Sequence, residues 1–192
     1  MSHQLAVLGG CAAITAAIQG LGFLAAFAIG TEKFYDVLGG GNFLVLAVFS
    51  AYAGQGDSSS SSSSWADDPR KVTATAVFLA SRCWLLIFLA WRAHERGGDS
   101  RFDEVKDKFW LFLLYWTVQG VWVWSISMPV VFINGAATAE SSGDFTTFDW
   151  ATIVGFASGV FFGKILVLSI ASFRWLIVFV SVLHSHPRRH LV

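Results

Sequence analysis

Long apolar segments dominate this chain and constrain its fold more than any motif does. Five of them are long enough for a helix that crosses a bilayer, and they lie at about residues 5–29, 35–53, 72–93, 109–133 and 151–173. A helix needs about 20 apolar residues to span a hydrocarbon core about 30 Å thick. Because lipid offers no partner to a backbone N–H or C=O, such segments form helices. The sequence therefore predicts an all-α, polytopic transmembrane helical bundle.

The composition argues against an ordinary water-soluble domain. Of the 192 residues, 55% are hydrophobic and only 14% are charged, and the mean hydropathy is +0.59. We expect a single transmembrane domain over residues 1–183, followed by a basic tail at residues 184–192. The formal net charge is zero, which suggests no nucleic-acid partner.

The distribution of Lys and Arg predicts which side of the membrane each loop faces. With the amino terminus outside, two basic residues fall on the outer side (Arg70 and Lys71) and eight on the cytosolic side (Lys33, Arg92, Arg96, Arg101, Lys106, Lys108, Arg188 and Arg189). An excess of basic residues on the cytosolic side sets the orientation of membrane proteins. We therefore predict an N-out, C-in topology, with a serine-rich outer loop at 54–71 and a basic cytosolic loop at 92–108.

Two loop signals predict where helices begin. Asp68 precedes Pro69, and a carboxylate at this position can accept hydrogen bonds from the first unpaired amides of the third helix. Ser100 and Asp103 are spaced like a capping box, which predicts a short interfacial helix over residues 101–108.

Polar side chains within the spans give the best signal for a binding site. Arg82 and Gln119 each lie about 15 Å from the nearer end of their span by helical rise, and Gln19, Asn42 and Lys164 also lie within spans. Polar groups are costly in lipid and usually turn towards the bundle interior. We predict that they line a polar cavity that opens towards the cytosol. The alternative is that the amides only hold the helices together.

Aromatic residues near Gln119 indicate what such a cavity would hold. Four aromatic residues flank this amide (Tyr115, Trp116, Trp122 and Trp124), and aromatic walls with few polar anchors suit a flat hydrophobic ligand. Our candidates for a substrate pocket are therefore Arg82, Gln119, Tyr115 and Trp122. The expected partner is a membrane lipid or a sterol-like small molecule.

Small residues at four-residue spacing predict close packing between helices. Gly155, Gly159 and Gly163 form one such series, and Ala12, Ala16 and Gly20 form another. This spacing lets two backbones approach closely. It serves either packing within the bundle or self-association of the chain.

Metal and disulfide chemistry are not expected. His184, His186 and His190 lie in the basic tail without a spaced carboxylate or cysteine, so they do not form a recognisable zinc site. Cys11 and Cys83 fall within apolar spans and predict no disulfide framework. The sequence also lacks a P-loop, a dinucleotide-binding glycine motif and a serine nucleophile elbow.

Several segments of residues 30–150 resemble a known membrane family. They are Thr31-Glu-Lys-Phe-Tyr-Asp36, Asp68-Pro-Arg-Lys71, the pair Arg82 and Arg92, the loop Arg96-Gly-Gly-Asp-Ser-Arg-Phe-Asp-Glu-Val-Lys-Asp-Lys-Phe109, and the stretch from Gln119 through Pro129 to Asn134. Together they resemble the steroid 5-alpha-reductase-like membrane proteins of uncharacterised function.

This resemblance implies an activity and a location. It implies NADPH-dependent reduction of a carbon–carbon double bond in a sterol-like or enone lipid, within the endoplasmic reticulum or another internal membrane. Arg92, Asp99 and Arg101 would lie at the cytosolic mouth, where the arginines could contact cofactor phosphates. They are our cofactor-binding candidates, and no catalytic residue is assigned.

The carboxyl-terminal part departs from the family pattern. A later Ser-Arg-His-Pro-Asn-Tyr-Phe-Gly-Glu-type segment carries much of the family's cofactor site, and the sequence diverges from Gly163 onward without it. We therefore expect a chain that corresponds to the amino-terminal part of such a reductase, truncated and with its activity in question. The alternatives are a non-enzymatic lipid-binding or assembly protein, a nonfunctional fragment and, with least support, a transporter.

Overall fold

The computed structural model describes residues 2–54, 65–96, 102–135, 150–151, 153–155, 157–159 and 161–162. Contacts divide the chain into two compact units, Met1–Ser142 and Gly143–Val192. The first unit contains four helices: α1 (Ser2–Ile29), α2 (Tyr35–Ala53), α3 (Pro69–Arg96) and α4 (Phe109–Gly135). A short 3-10 turn at Trp65–Asp67 precedes α3. No strand occurs within the described residues, so the predicted all-α helical bundle is confirmed.

The third helix begins directly after Asp68, the residue predicted to cap it. The backbone amides of Arg70 and Lys71 donate to Asp68 Oδ1 at 3.0 and 3.4 Å, and α3 starts at Pro69 rather than at Val72. Asp68 therefore satisfies two of the amides that have no partner within the helix. The predicted cap is confirmed.

All four helices are long and apolar enough to cross a membrane. Many of their large apolar side chains face outward, including Leu21, Val118, Val121 and Trp110, of which Trp110 is 77% exposed. A water-soluble monomer rarely exposes so much contiguous apolar surface. The first unit is therefore that of an integral membrane protein.

Side-chain contacts give the helix directions. Gln4 Nε2 of α1 donates to the Phe132 carbonyl near the end of α4 at 3.4 Å, whereas Phe23 near the end of α1 packs on Phe109 at the start of α4. These two helices are therefore antiparallel. Phe49 near the end of α2 lies against Gly10, and Leu38 near its start lies against Gly22, so α2 also runs opposite to α1.

The third helix is antiparallel to α2. Asp36 at the start of α2 forms an ion pair with Arg92 near the end of α3, and the rings of Phe43 and Phe78 meet at 6.1 Å further along. The bundle thus has an end that holds Tyr35, Arg92 and Phe109 (the inner end) and an opposite outer end. The predicted sidedness, with the inner end cytosolic, stays a prediction.

Two apolar clusters form the core. Nine buried residues make up the cluster in the outer half (Val7, Cys11, Phe43, Leu46, Ala47, Phe78, Val123, Val130 and Val131). Six make up the cluster at the inner end (Phe23, Ala26, Phe102, Val105, Phe112 and Trp116). Cys11 is buried and Cys83 is exposed, and both are free thiols.

A buried asparagine connects the elements at the outer end by hydrogen bonds. Asn134 Oδ1 accepts hydrogen bonds from Trp65 Nε1 at 3.0 Å and Thr75 Oγ1 at 3.1 Å, and its Nδ2 donates to Ser50 Oγ at 3.0 Å. Its amide therefore joins the 3-10 turn and helices α2, α3 and α4. Every polar atom of this amide is paired, which is what a buried side chain requires.

The loop before α4 inserts two apolar side chains into the inner end. Phe102 is 1% exposed, and Val105 is also buried. Residues 102–107 form hydrogen-bonded turns, among them Lys106 N to the Phe102 carbonyl at 2.9 Å. The predicted interfacial helix over 101–108 is therefore wrong for the described residues. Burying both side chains anchors the loop in the core instead of laying a helix along the membrane surface.

The second unit is described only in part. Residues 150–151, 153–155, 157–159 and 161–162 are helical, and their described side chains are largely exposed. They coincide with the start of the predicted fifth span at residues 151–173. The rest of that span, with Lys164, and the basic tail lie outside the described residues.

Candidate functional site: a groove between α1 and α4

A groove of about 380 Å³ runs between α1 and α4. Six residues from each helix line it: Ala12, Thr15, Ala16, Gln19, Gly20 and Phe23 of α1, and Leu113, Trp116, Thr117, Gly120, Val121 and Trp124 of α4. Its volume falls within the range of roughly 300–1,000 Å³ that is typical of small-molecule sites. Its walls are predominantly apolar. Ala16, Thr117 and Val121 are exposed, so the groove opens sideways on the surface that faces lipid.

Polar atoms without partners lie in this apolar groove. Thr15 Oγ1, both amide atoms of Gln19, Trp116 Nε1 and Trp124 Nε1 are buried, and none has a hydrogen-bond partner among the described residues. Leaving a buried donor or acceptor unpaired costs about 1–3 kcal/mol. Native structures rarely keep such groups without water or a ligand to pair them. The groove is therefore apolar, with a few buried polar atoms at fixed positions.

The predicted small-residue series of α1 forms one side of the groove. Ala12, Ala16 and Gly20 all line it, and a Cβ added to Gly20 would meet no described atom within 4 Å. These residues leave open space. On the facing helix, a Cβ added to Gly120 would lie 3.3 Å from Gln19 Cγ, so Gly120 allows the close approach of the two helices.

A layer of buried amides continues from the groove into the bundle. Gln19, Asn42 and Gln119 are 5%, 1% and 8% exposed. Gln119 Nε2 donates to the Tyr35 carbonyl at 3.0 Å, whereas its Oε1 is unpaired. Both amide atoms of Asn42 also lack a partner in the described part of the chain. We call Thr15, Gln19, Asn42 and Gln119 the amide layer.

The four predicted pocket residues lie in two places, and none of them lines the groove. Arg82 lies over the rings of Phe43 and Phe78, with its guanidinium carbon 4.6 and 5.0 Å from their centroids. Trp122 packs edge-on against the same Phe43 at 5.2 Å. Arg82 and Trp122 therefore meet at Phe43, where the guanidinium is stabilised by aromatic faces.

The other two predicted pocket residues meet at Tyr35. The Tyr35 hydroxyl donates to the Tyr115 carbonyl at 3.0 Å, and the Tyr35 carbonyl accepts from Gln119. The rings of Tyr35 and Tyr115 both pack on Phe102 of the anchored loop, at 4.9 and 5.4 Å. Tyr35 therefore joins the start of α2 to α4 and to the loop.

Of the cofactor-binding candidates, only Arg92 is described. It forms an ion pair with Asp36 at the inner end, and 27% of its side chain is exposed. Asp99 and Arg101 lie outside the described residues. No cluster of three potential metal ligands occurs in the described ranges, and His184, His186 and His190 lie beyond them.

Sequence reasoning missed part of the groove. Gln19 was recognised as a polar residue within a span, but Thr15 and the indoles of Trp116 and Trp124 were not selected. Thr15 lies one turn before Gln19, and Trp116 and Trp124 are two turns apart on one face of α4. These spacings put the side chains of each helix on one face, and they are the sequence signal by which the groove residues could have been found.

The comparisons with known proteins agree with the membrane architecture. No curated protein and no solved structure matches this chain. One family model, described as a protein of unknown function (DUF1295), matches residues 22–179. The match extends past Gly163, where we expected the family pattern to end. It names no activity, so the link to steroid 5-alpha-reductases stays a prediction. Because the matched region covers well over half of the sequence, the chain belongs to the DUF1295 family.

Proposed function

We propose that this chain is a lipid-binding membrane protein that holds a flat, sterol-like lipid in the groove between α1 and α4. The observation that carries the proposal is the set of unpaired polar atoms in an apolar groove that opens sideways. An apolar ligand body would cover the walls, and a polar ligand group would pair with the fixed polar atoms. This combination is typical of sites for amphipathic small molecules.

The aromatic wall favours a flat ligand. Trp116 is 1% exposed, and its ring packs against Tyr35 at 5.2 Å and against Phe112 at 6.1 Å. A Cβ on Gly22 would lie 2.5 Å from this indole, so the ring occupies the space that a side chain at Gly22 would need. Only a small part of this indole borders the groove, and packing already fixes that part, so it loses little entropy when a rigid ligand binds.

A photo-crosslinking experiment tests the proposal. The full chain is reconstituted into phosphatidylcholine liposomes that contain a photoactivatable cholesterol analogue, and labelled peptides are mapped by mass spectrometry. We expect labelling of residues 12–23 and 113–124, with competition by unlabelled cholesterol. Labelling that is spread evenly over all lipid-facing helices would contradict the proposal.

Two glycine variants of α1 separate groove binding from general lipid contact. Gly20→Leu places a large side chain in the open space of the groove and should abolish competable labelling. Gly9→Leu is the matched control, because a Cβ there also meets no described atom within 4 Å and Gly9 does not line the groove. Equal loss in both variants would show that the groove is not the site.

NADPH-dependent reduction of a carbon–carbon double bond in the bound lipid is a second candidate function. It is supported by the resemblance of the loop residues and by the position of Arg92 at the inner end. A phosphate there would compete with Asp36 for the guanidinium, which binds such groups through two parallel hydrogen bonds. NADPH bound at this end would supply the hydride.

A cofactor titration tests this second candidate. Purified protein in detergent is titrated with NADPH, and binding is followed by tryptophan fluorescence. Saturable binding that weakens in Arg101→Ala and Arg92→Ala supports the reductase. The absence of saturable binding at millimolar cofactor leaves the non-enzymatic lipid-binding protein.

The resemblance also supports residence in the endoplasmic reticulum or another internal membrane. Co-localisation of a tagged chain with organelle markers tests this, and a signal confined to the cell surface would contradict it.

Self-association through the second small-residue series is a further part of the proposal. Gly155 and Gly159 are exposed, and an added Cβ at either would meet no described atom within 4 Å. Gly163 of the same series lies outside the described residues. Loss of cross-linked dimers in Gly155→Leu or Gly159→Leu would support it, and dimers that persist in both variants would count against it.

A further inference from the structure

We infer that the lipid held in the groove is an alcohol, and that its hydroxyl group is bound by Thr15 and Gln19, the two members of the amide layer that line the groove. This inference rests on the proposed lipid-binding function and names the polar group of the ligand. It starts from the placement of the amide layer, the burial of its side chains and their unused hydrogen-bonding capacity.

The amide layer brings three helices together at one depth. Gln19 of α1 lies against Gly120 of α4, the residue next to Gln119. A Cβ on Gly39 of α2 would lie 1.8 Å from Gln119 Nε2, so this amide occupies the space that Gly39 leaves. Asn42 follows Gly39 by about one turn on the same helix. The amides therefore lie within about one helical turn of each other along the bundle.

None of these side chains can turn to bulk water for a partner. Thr15 is 4% exposed, Asn42 is 1% exposed, and the two glutamines are also buried. Six of their polar atoms lack a partner within the described residues: Thr15 Oγ1, Gln19 Nε2 and Oε1, Asn42 Nδ2 and Oδ1, and Gln119 Oε1. Buried polar atoms in native structures are nearly always paired, by protein groups, by water or by a bound ligand.

The mixture of donors and acceptors at the groove selects the polar group of the ligand. The amide nitrogen of Gln19 donates, its amide oxygen accepts, and the Thr15 hydroxyl can do either. A ketone or ester oxygen only accepts, so it would leave the Gln19 oxygen unpaired. An alcohol donates one hydrogen bond and accepts up to two at a single atom. It is therefore the lipid group that matches these two side chains best.

The neutrality of the layer argues against an ionised ligand. All four side chains are uncharged amides or a hydroxyl, so they offer no counter-ion to a carboxylate. A charge placed at this depth without a partner is costly. A hydrocarbon would leave the polar atoms of Thr15 and Gln19 unpaired.

The test compares three sterol-type competitors that carry a hydroxyl group, a ketone or no polar group. Full-chain protein in phosphatidylcholine liposomes is labelled with the photoactivatable cholesterol analogue, and cholesterol, cholestenone and cholestane are compared as competitors. We expect cholesterol to compete about tenfold better than the ketone cholestenone, as one buried hydrogen bond implies. We expect the hydrocarbon cholestane to compete more weakly still.

Matched variants assign the preference to the side chains that line the groove. Gln19→Met and Asn42→Leu both remove unpaired atoms without breaking a hydrogen bond among the described residues, so both should fold. Only Gln19→Met should lose the preference for cholesterol over cholestane, because Asn42 does not line the groove. Gln4→Met is the control, because Gln4 lies on the same helix at the outer end and does not line the groove. It should retain the full preference.

The outcomes separate this inference from the proposed function. Equal competition by cholesterol and cholestane, with labelling still confined to the groove, would overturn the inference and leave lipid binding intact. Preference for the ketone, or a full alcohol preference retained in Gln19→Met, would also overturn it. Labelling that no lipid competes for would remove the proposed function and the inference together.

Discussion

The same substitution at two buried asparagines should change stability in opposite directions. Asn134 and Asn42 both lie inside the bundle, 0% and 1% exposed. The Asn134 amide makes three interhelical or turn contacts, with Trp65, Thr75 and Ser50. The Asn42 amide has no hydrogen-bond partner among the described residues. Leucine is close to asparagine in volume, so each replacement mainly removes the polar atoms.

The number of hydrogen bonds that Asn134 makes sets the expected loss of stability in Asn134→Leu. Interhelical hydrogen bonds in membranes contribute on average about 0.6 kcal/mol each, because the unfolded chain in lipid also finds partners. Three such bonds give about 2 kcal/mol of lost stability. The scale for water-soluble proteins, about 1–3 kcal/mol for each unpaired group, would give a larger loss. We use the membrane scale because the reference state is also in lipid.

For Asn42→Leu the sign reverses. Replacing an unpaired buried amide by an apolar group removes a desolvation penalty, so the ligand-free protein should keep its stability or gain about 1 kcal/mol. Reversible unfolding with sodium dodecyl sulfate in bicelles, monitored by tryptophan fluorescence, measures both changes. Similar destabilisation by the two variants would refute the distinction between the hydrogen-bonded Asn134 amide and the unpaired Asn42 amide.

Three further predictions concern glycine contacts and the inner ion pair. Gly39→Ala should lower the free energy of unfolding by about 1 kcal/mol, because the added Cβ would displace the Gln119 amide from the Tyr35 carbonyl. In a Gln119→Ala background, the same substitution should cause no such loss of stability. Gly54→Ala should destabilise by about 3 kcal/mol, because its Cβ would lie 2.1 Å from the Asn134 carbonyl oxygen; a neutral result in the same unfolding assay would contradict this. Asp36→Asn should cost at most about 1 kcal/mol, with less effect at high salt, since the pair with Arg92 is partly exposed.

The helices could be predicted because the signal for them is local. The apolar run of α2 extends over residues 35–53, and the structure has the helix at Tyr35–Ala53. The cap at Asp68 was predictable for the same reason, since a carboxylate next to Pro69 acts on the amides directly after it. Length, hydropathy and capping therefore needed no knowledge of the other helices.

The groove could not be predicted in this way. Helix α1 is apolar on every side, so its sequence does not show which face meets α4 and which faces lipid. The small residues Ala12, Ala16 and Gly20 indicated an approach of backbones, yet they line open space. The close approach occurs instead at Gly120, opposite Gln19. Only the relative placement of the two helices distinguishes these cases.

The loop before α4 shows the opposite difficulty. Its charged residues and the spacing of Ser100 and Asp103 favoured a helix at the membrane surface, and Phe102 and Val105 were given too little weight. Both side chains are buried in the inner cluster. Two apolar residues at three-residue spacing in a charged loop indicate that the loop is anchored in the core. The capping pattern of Ser100 and Asp103 was given more weight than this spacing.

The sideways opening of the groove has a consequence for the proposed binding of lipid. A ligand that entered past Ala16, Thr117 and Val121 would come from the bilayer and not from water. Occupancy would then follow the mole fraction of that lipid in the surrounding leaflet, and its aqueous solubility would have no part in the equilibrium. A modest intrinsic affinity is sufficient for a lipid that makes up several per cent of the membrane. Such a groove would respond to changes in the composition of the bilayer around it.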